Sequence, residues 1–302
     1  MNRIYDILNN TEEQMTQVPL EKKEKKRKKK VKTVKVEPVI KIKDDYSEPP
    51  HTNLLRLPFS LLLVAPKGSG KTTVLHNILV WYFQHFDMVF LWSPTINIDS
   101  KWVKLIEKLD IPGEQLFSEY DEKQIASIMR QVKDYNNGRD NKEKVKVLFM
   151  FDDCAESLKT FGKKQCVLNK LAMNHRHYNI SHIMVSQSFK KLDPIIRNNT
   201  TGIILFNTDN TAERMKIIEE LAGNVGRKKF EMLWYECVKD KYNFMFINYD
   251  NRKIYKNFLK IIGNLDQPPE WLYNSNSASK YRPIKDTQET TETPETNDST
   301  TD

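Results

Sequence analysis

The chain has 302 residues, a net charge of +8 and 39% apolar residues, which is long enough for one α/β domain with a sizeable core. No apolar run approaches the roughly 18 residues of a membrane span, and the N-terminus lacks the apolar stretch of a secretory signal, so no membrane partner is expected. Cys154, Cys166 and Cys237 show no CxxC spacing, which fits a reducing, intracellular setting and argues against structural zinc or a disulfide framework.

Charge is unevenly placed. Residues 21–36 carry ten Lys/Arg against two acids, whereas residues 286–302 carry six acids and no base. With one Arg and three acids in residues 1–20, the outer stretches cancel, and residues 37–285 hold the +8 themselves. A basic folded part suggests a polyanion partner, although a solvated lysine-rich surface explains the charge equally well. Residues 1–50 read as a disordered basic arm, a nuclear import signal or a nucleic-acid contact. Residues 51–273 read as the folded domain, and residues 274–302 as a disordered, acidic, Ser/Thr-rich tail.

The first strand of the domain is the apolar run Leu61–Ala65, bounded by Pro58 and Pro66 and short enough for a buried parallel strand. Pro66, Lys67, Gly68, Ser69 and Gly70 follow as a turn, and Lys71, Thr72 and Thr73 open a helix reaching about Phe86. Strand, glycine-rich turn and helix beginning Lys-Thr form the context of a phosphate-binding loop. Gly68 and Gly70 allow positive φ, so backbone N–H groups can turn toward phosphate oxygens, and the helix N-terminus adds its dipole. Lys71 is then placed for the β- and γ-phosphates of ATP, and the Thr72 hydroxyl for Mg²⁺. The first glycine of the pattern is replaced by Ala65.

Met88–Trp92 reads as a second strand. Helices are expected at Asp99–Leu109 and Asp121–Tyr135, followed by a polar loop at Asn136–Lys144. Val145–Phe151 is a strand that runs into Asp152 and Asp153. Phe161–His177 is helical, with Phe161, Leu168, Leu171, Ala172 and His175 on one stripe. Ser181–Val185 and Gly202–Phe206 are further strands, and Ala212–Leu221 and Phe230–Val238 further helices. Tyr242–Asn248 and Arg252–Asn257 flank a polar turn and predict a C-terminal hairpin. Strands alternating with helices predict an α/β fold with a central, mostly parallel sheet flanked by helices.

A carboxylate at the C-terminal end of a strand beside a phosphate loop is placed to hold Mg²⁺, a role assigned to Asp152. Its neighbour Asp153 is then placed to orient or deprotonate water. Gln187 follows the next strand, where ligands bind in open α/β sheets. Arg176, off the apolar stripe of its helix, can act as an arginine finger on a neighbouring subunit, with Arg197 as the alternative. His175 reads as core-facing.

Together, SLLLVAPKGSGKTT, VLFMFDDCAES, NHRHYNISHIMVSQS and IIRNN resemble the FtsK–HerA superfamily of P-loop motor ATPases. Within it, the chain is similar to the poxvirus-type genome-packaging ATPases of large DNA viruses and virophages, over about residues 55–225. The resemblance implies an ATP- and Mg²⁺-dependent, homo-oligomeric ring that moves double-stranded DNA into a preformed capsid. It thereby implies viral capsid proteins as partners and action in an infected host cell, in a viral factory, nucleus or virion. The same resemblance assigns the roles above to Lys71, Thr72, Asp152, Asp153, Gln187 and Arg176. Ala65 and Asp153, where many relatives have glycine and glutamate, depart from the pattern. Two other readings stand beside it: a related helicase or DNA pump in replication or transfer, and a basic DNA-binding structural protein with a degenerate nucleotide switch.

Overall fold

Short strands whose side chains are buried on both faces build this fold outward from one sheet. The computed structural model of the chain describes residues 46–153 and 166–266. Residues 1–45 of the basic arm, the acidic tail, Cys154 and Phe161 lie outside the described residues.

Nine strands lie among the described residues: β1 (Ser60–Val64), β2 (Met88–Trp92), β3 (Leu116–Phe117), β4 (Val147–Phe151), β5 (Ile180–Ser186), β6 (Gly202–Leu205), β7 (Met245–Asn248), β8 (Lys253–Lys256) and β9 (Lys260–Asn264). They form one sheet in the order β3-β2-β4-β5-β1-β6-β7-β8-β9. Pairing is parallel from β3 through β6 and antiparallel from β6 through β9. Every residue of β1, β4 and β5 is buried, as expected of central parallel strands covered on both sides.

Seven α-helices are described: α1 (Lys71–Tyr82), α2 (Ser100–Leu109), α3 (Glu122–Asn136), α4 (Val167–Tyr178), α5 (Pro194–Asn198), α6 (Thr211–Leu221) and α7 (Arg227–Val238). The period-2 alternation of the strands sorts their side chains into two cores. Leu61, Leu63, Leu148 and Met150 face α1 and α2, packing with Val74, Leu75, Ile78 and Trp102. Leu62, Val64, Phe149 and Phe151 face the other way, against Ile125 of α3, Leu168 and Leu171 of α4, Ile217 of α6 and Phe230 of α7. Trp92 stacks between Phe117 at 5.0 Å and Phe151 at 4.8 Å, joining three adjacent strands.

Asp99 and Asp121, where helices were expected to begin, are N-caps: their carboxylates accept the N–H groups of Lys101 at 2.9 Å and Lys123 at 2.8 Å. Such caps satisfy orphan donors of the first turn. The helix expected to start at Phe161 is described from Val167, and Leu168, Leu171, Ala172 and His175 are buried as the stripe predicted, together with Val167 and Asn169. The C-terminal hairpin forms as β7 and β8, but it continues the main sheet through β6, and β9 extends it further. β3 and β9 carry little sequence signal, since one has two residues and the other is largely exposed.

Gly202 opens β6 where a Cβ would lie 2.8 Å from Cδ1 of the buried Leu55. Gly202→Ala should therefore overpack this contact and destabilise the fold by about 1–3 kcal/mol, read as a lower urea midpoint at unchanged slope.

Candidate active site

The phosphate loop grows directly out of β1. Ala65 extends the β1–β5 ladder, its N–H donating to the Ser186 carbonyl at 3.0 Å. Its methyl is fully buried in the α1-side core, and it is absent from the residues of positive φ. Alanine thus meets no backbone penalty at this position. A side chain would meet one at the two true glycines: Gly68 has φ 80° and Gly70 φ 98°, in the region that side chains avoid. Between them Ser69 folds back, its hydroxyl donating to the Pro66 carbonyl at 2.8 Å.

Gly70 caps α1, whose first turn has neither a side-chain cap nor an acid. The positive end of the helix dipole is therefore offered to whatever sits in front of it. In front of it is a cavity of about 610 Å³ lined by the first residues of α1 together with Gly68, Gly70, Lys101 and Tyr242.

β4 brings two carboxylates to the same edge of the sheet. Lys71 Nζ lies 3.9 Å from Asp152 Oδ1 and forms an ion pair with Asp153 Oδ2. Asp152 is buried, and its Oδ2 accepts the Trp102 indole N–H at 3.1 Å and the Ser93 hydroxyl at 3.5 Å. Burial pushes its acidity toward higher pKa, a shift that Lys71 opposes and Asp153 reinforces. Asp153 differs. Burial works upward there too, but hydrogen bonds from Lys71 and Gln187 and the Lys71 charge outweigh it and hold the carboxyl below its ordinary range. Its φ of 50° is left-handed, a region aspartate enters more readily than most residues.

Gln187, just past β5, donates its side-chain amide to Asp153 Oδ1 at 3.0 Å. The loop that carries it is braced by the buried Glu213 of α6, which accepts the Ser188 hydroxyl at 3.1 Å and the Lys190 N–H at 3.2 Å, together with the Phe189 N–H. Lys71, Asp152, Asp153 and Gln187 are thus gathered from β1, β4 and β5, three neighbours in the sheet.

Arg176 and Arg197 lie apart from this cluster. Arg197 is turned inward and bidentate to Glu220, at 2.7 Å and 2.8 Å, and also donates to the Phe189 and Leu192 carbonyls. It is a brace for the same loop. Arg176 is exposed near the end of α4, which returns antiparallel to the strands, and the following Asn179 carbonyl accepts the N–H of Val147 at the start of β4. It therefore stands at the sheet edge opposite Lys71, about 17 Å of strand rise away, with its guanidinium 5.3 Å from the Tyr46 ring. His175 is buried, as expected, and burial depresses its pKa to about 4.

A hydroxyl and a buried carboxylate, Thr72 and Asp152, supply the hard oxygen donors that Mg²⁺ prefers. Sequence reasoning missed Ser93, Trp102, Glu213 and Tyr242. Ser93 had a signal, since it ends β2 beside Asp152 at the end of β4. Trp102 and Glu213 reach the site only through helix packing, which leaves no local pattern.

Because Asp152 is buried with a raised pKa, its ionised form costs stability at neutral pH, and that cost fades as pH falls through the raised folded-state value and is gone below the unfolded carboxylate value. Asp152→Asn, which can still accept from Trp102 and Ser93, should raise the unfolding temperature by about 2–4 °C at pH 7. The gain should shrink toward acid pH, as checked by thermal unfolding across a pH series, while ATP turnover is lost.

Residues 47–247 match the family described as Poxvirus A32 protein. The uncharacterized protein L437 of Acanthamoeba polyphaga mimivirus is 25% identical over 199 residues, covering 64% of this chain and 67% of that protein. The DNA packaging protein OPG160 of Variola virus is 27% identical over 164 residues, covering 54% of this chain and 58% of that protein. The crystal structure of B204, the DNA-packaging ATPase from Sulfolobus turreted icosahedral virus, shares the fold with a TM-score of 0.50 at 17% identity, covering 66% of this chain and 97% of that one. With a phosphate loop, a paired-acid strand end and a family match spanning most of the described residues, the chain belongs to the Poxvirus A32 protein family.

Proposed function

We propose that this chain is an ATPase that drives viral double-stranded DNA into a preformed capsid, working as a homo-oligomeric ring in the infected cell. The observation that carries the reading is the meeting of Lys71, Asp152, Asp153 and Gln187 beside the cavity in front of α1. Family membership and the DNA packaging relatives support the coupling to DNA.

The chemistry follows from the placement of each group. The dipole end of α1 and the turn around Gly68 and Gly70 bind the phosphate chain. Lys71 exchanges Asp153 for β- and γ-phosphate oxygens, so its charge follows the substrate. Asp153, ionised at neutral pH, is then released to accept a proton from the attacking water. Gln187, already bonded to Asp153, orients that water through its amide. Thr72 and Asp152 would hold a Mg²⁺ ion, which would supply neutralisation of phosphate charge. Trp102 and Ser93 hold Asp152 in place for that role.

Arg176 is too far from Lys71 of its own chain to meet the same phosphate, and its exposure suits contact with a neighbouring subunit. Arg197, committed to Glu220, does not. Arg176 therefore acts in trans, and turnover requires the ring. Capsid proteins are the assembly partners of this reading.

Lys71→Ala should abolish ATP turnover, measured as phosphate release. Arg176→Ala should abolish turnover of the assembled protein while nucleotide affinity stays within about twofold of the original; normal turnover by the assembled variant would remove the finger role. Duplex DNA should stimulate phosphate release by the full chain. A basic structural protein with a degenerate site would show no such stimulation.

A further inference from the structure

We propose that Tyr242 is the platform on which the base of the bound nucleotide stacks. The inference rests on the nucleotide reading of the cavity and extends it from the phosphates to the nucleoside.

Tyr242 precedes β7 and, among the described residues, contributes the one aromatic ring to the lining of the cavity in front of α1. Lys101 of α2 lines the same space; α2 follows β2 while Tyr242 leads into β7, strands on opposite sides of β1 in the sheet. The ring is held close to the phosphate loop: a Cβ placed on Gly70 would meet Tyr242 Cδ1 at 3.2 Å. Gly70 is therefore needed twice, for its own φ of 98° and for the approach of this ring.

Tyr242 is 57% exposed and has φ 69°, a conformation rare for a bulky residue. A buried ring can repay such backbone strain by packing, but this one is mostly in water. Strain of this kind persists where surrounding structure enforces it, commonly at binding sites. Among the described residues the ring has no aromatic partner; the Lys241 ammonium sits 4.8 Å from its centroid. A cation and the Gly70 backbone thus lie near the ring, and its large exposed surface is what a flat, apolar group would cover. A purine attached to a phosphate chain gripped at Lys71 is such a group, and stacking accepts any base because every base has a π-face.

The test is calorimetric titration of the full chain and its Tyr242→Ala and Tyr242→Phe variants with ATP and with inorganic tripolyphosphate, which has phosphates but no base. Tyr242→Ala should weaken ATP binding about tenfold and leave tripolyphosphate binding unchanged, while Tyr242→Phe binds both like the original. Equal weakening of both ligands by Tyr242→Ala would make the ring a support for the loop and overturn the proposal. Undiminished ATP binding by that variant, or loss of ATP binding in Tyr242→Phe, would overturn it as well. Failure of the unaltered chain to bind either ligand would remove the nucleotide reading itself and this proposal with it.

Discussion

An ammonium set between two carboxylates of unequal burial is the interaction around which the sheet edge is arranged. Lys71 begins the helix after β1, and Asp152 and Asp153 end β4, yet β5 lies between those strands. The contact forms because all three run parallel and end within two residues of one another, Val64 pairing with Ser186 and Phe151 with Met184. Two adjacent acids at one strand end would repel each other without a cation. Lys71 makes them compatible, and their different surroundings separate their roles. Asp152, in a dry niche fixed by Trp102 and Ser93, is a rigid donor; Asp153, half-exposed and bonded to Gln187, remains responsive.

That edge is held by residues outside it. The loop carrying Gln187 is braced from α6, where Glu213 takes its backbone N–H groups and Glu220 clamps Arg197. Buried charges are tolerated when they are paired or hydrogen-bonded: buried Glu213 accepts three hydrogen bonds, and buried Arg197 is paired with Glu220. The brace links β6 and its following helix to the Gln187 loop, so displacement of either would be felt by the other. Arg176, at the far edge of the sheet, is decoupled from this brace and exposed.

The departures from the familiar phosphate-loop pattern have local explanations. Ala65 occupies ladder backbone with its methyl in the core, where glycine's freedom is not needed. Asp153 stands at left-handed φ, where a short acid is less strained than a longer or branched side chain, and its reach is sufficient to meet Lys71 and Gln187.

Much of this was legible in the sequence. Apolar runs of five residues, a Gly-Ser-Gly-Lys-Thr turn and paired acids at a strand end are local patterns, and local patterns determine strands, turns and helix starts by sterics and burial alone. They were enough to indicate the α/β class, the parallel core and which residues to suspect. The strand order, the placing of β5 between β1 and β4, the addition of β7 to β9 to the same sheet, and the roles of Trp102, Glu213 and Tyr242 were decided only in three dimensions. Those contacts join residues tens to more than a hundred positions apart, through helix faces whose apolar spacing says that they are buried but not against what.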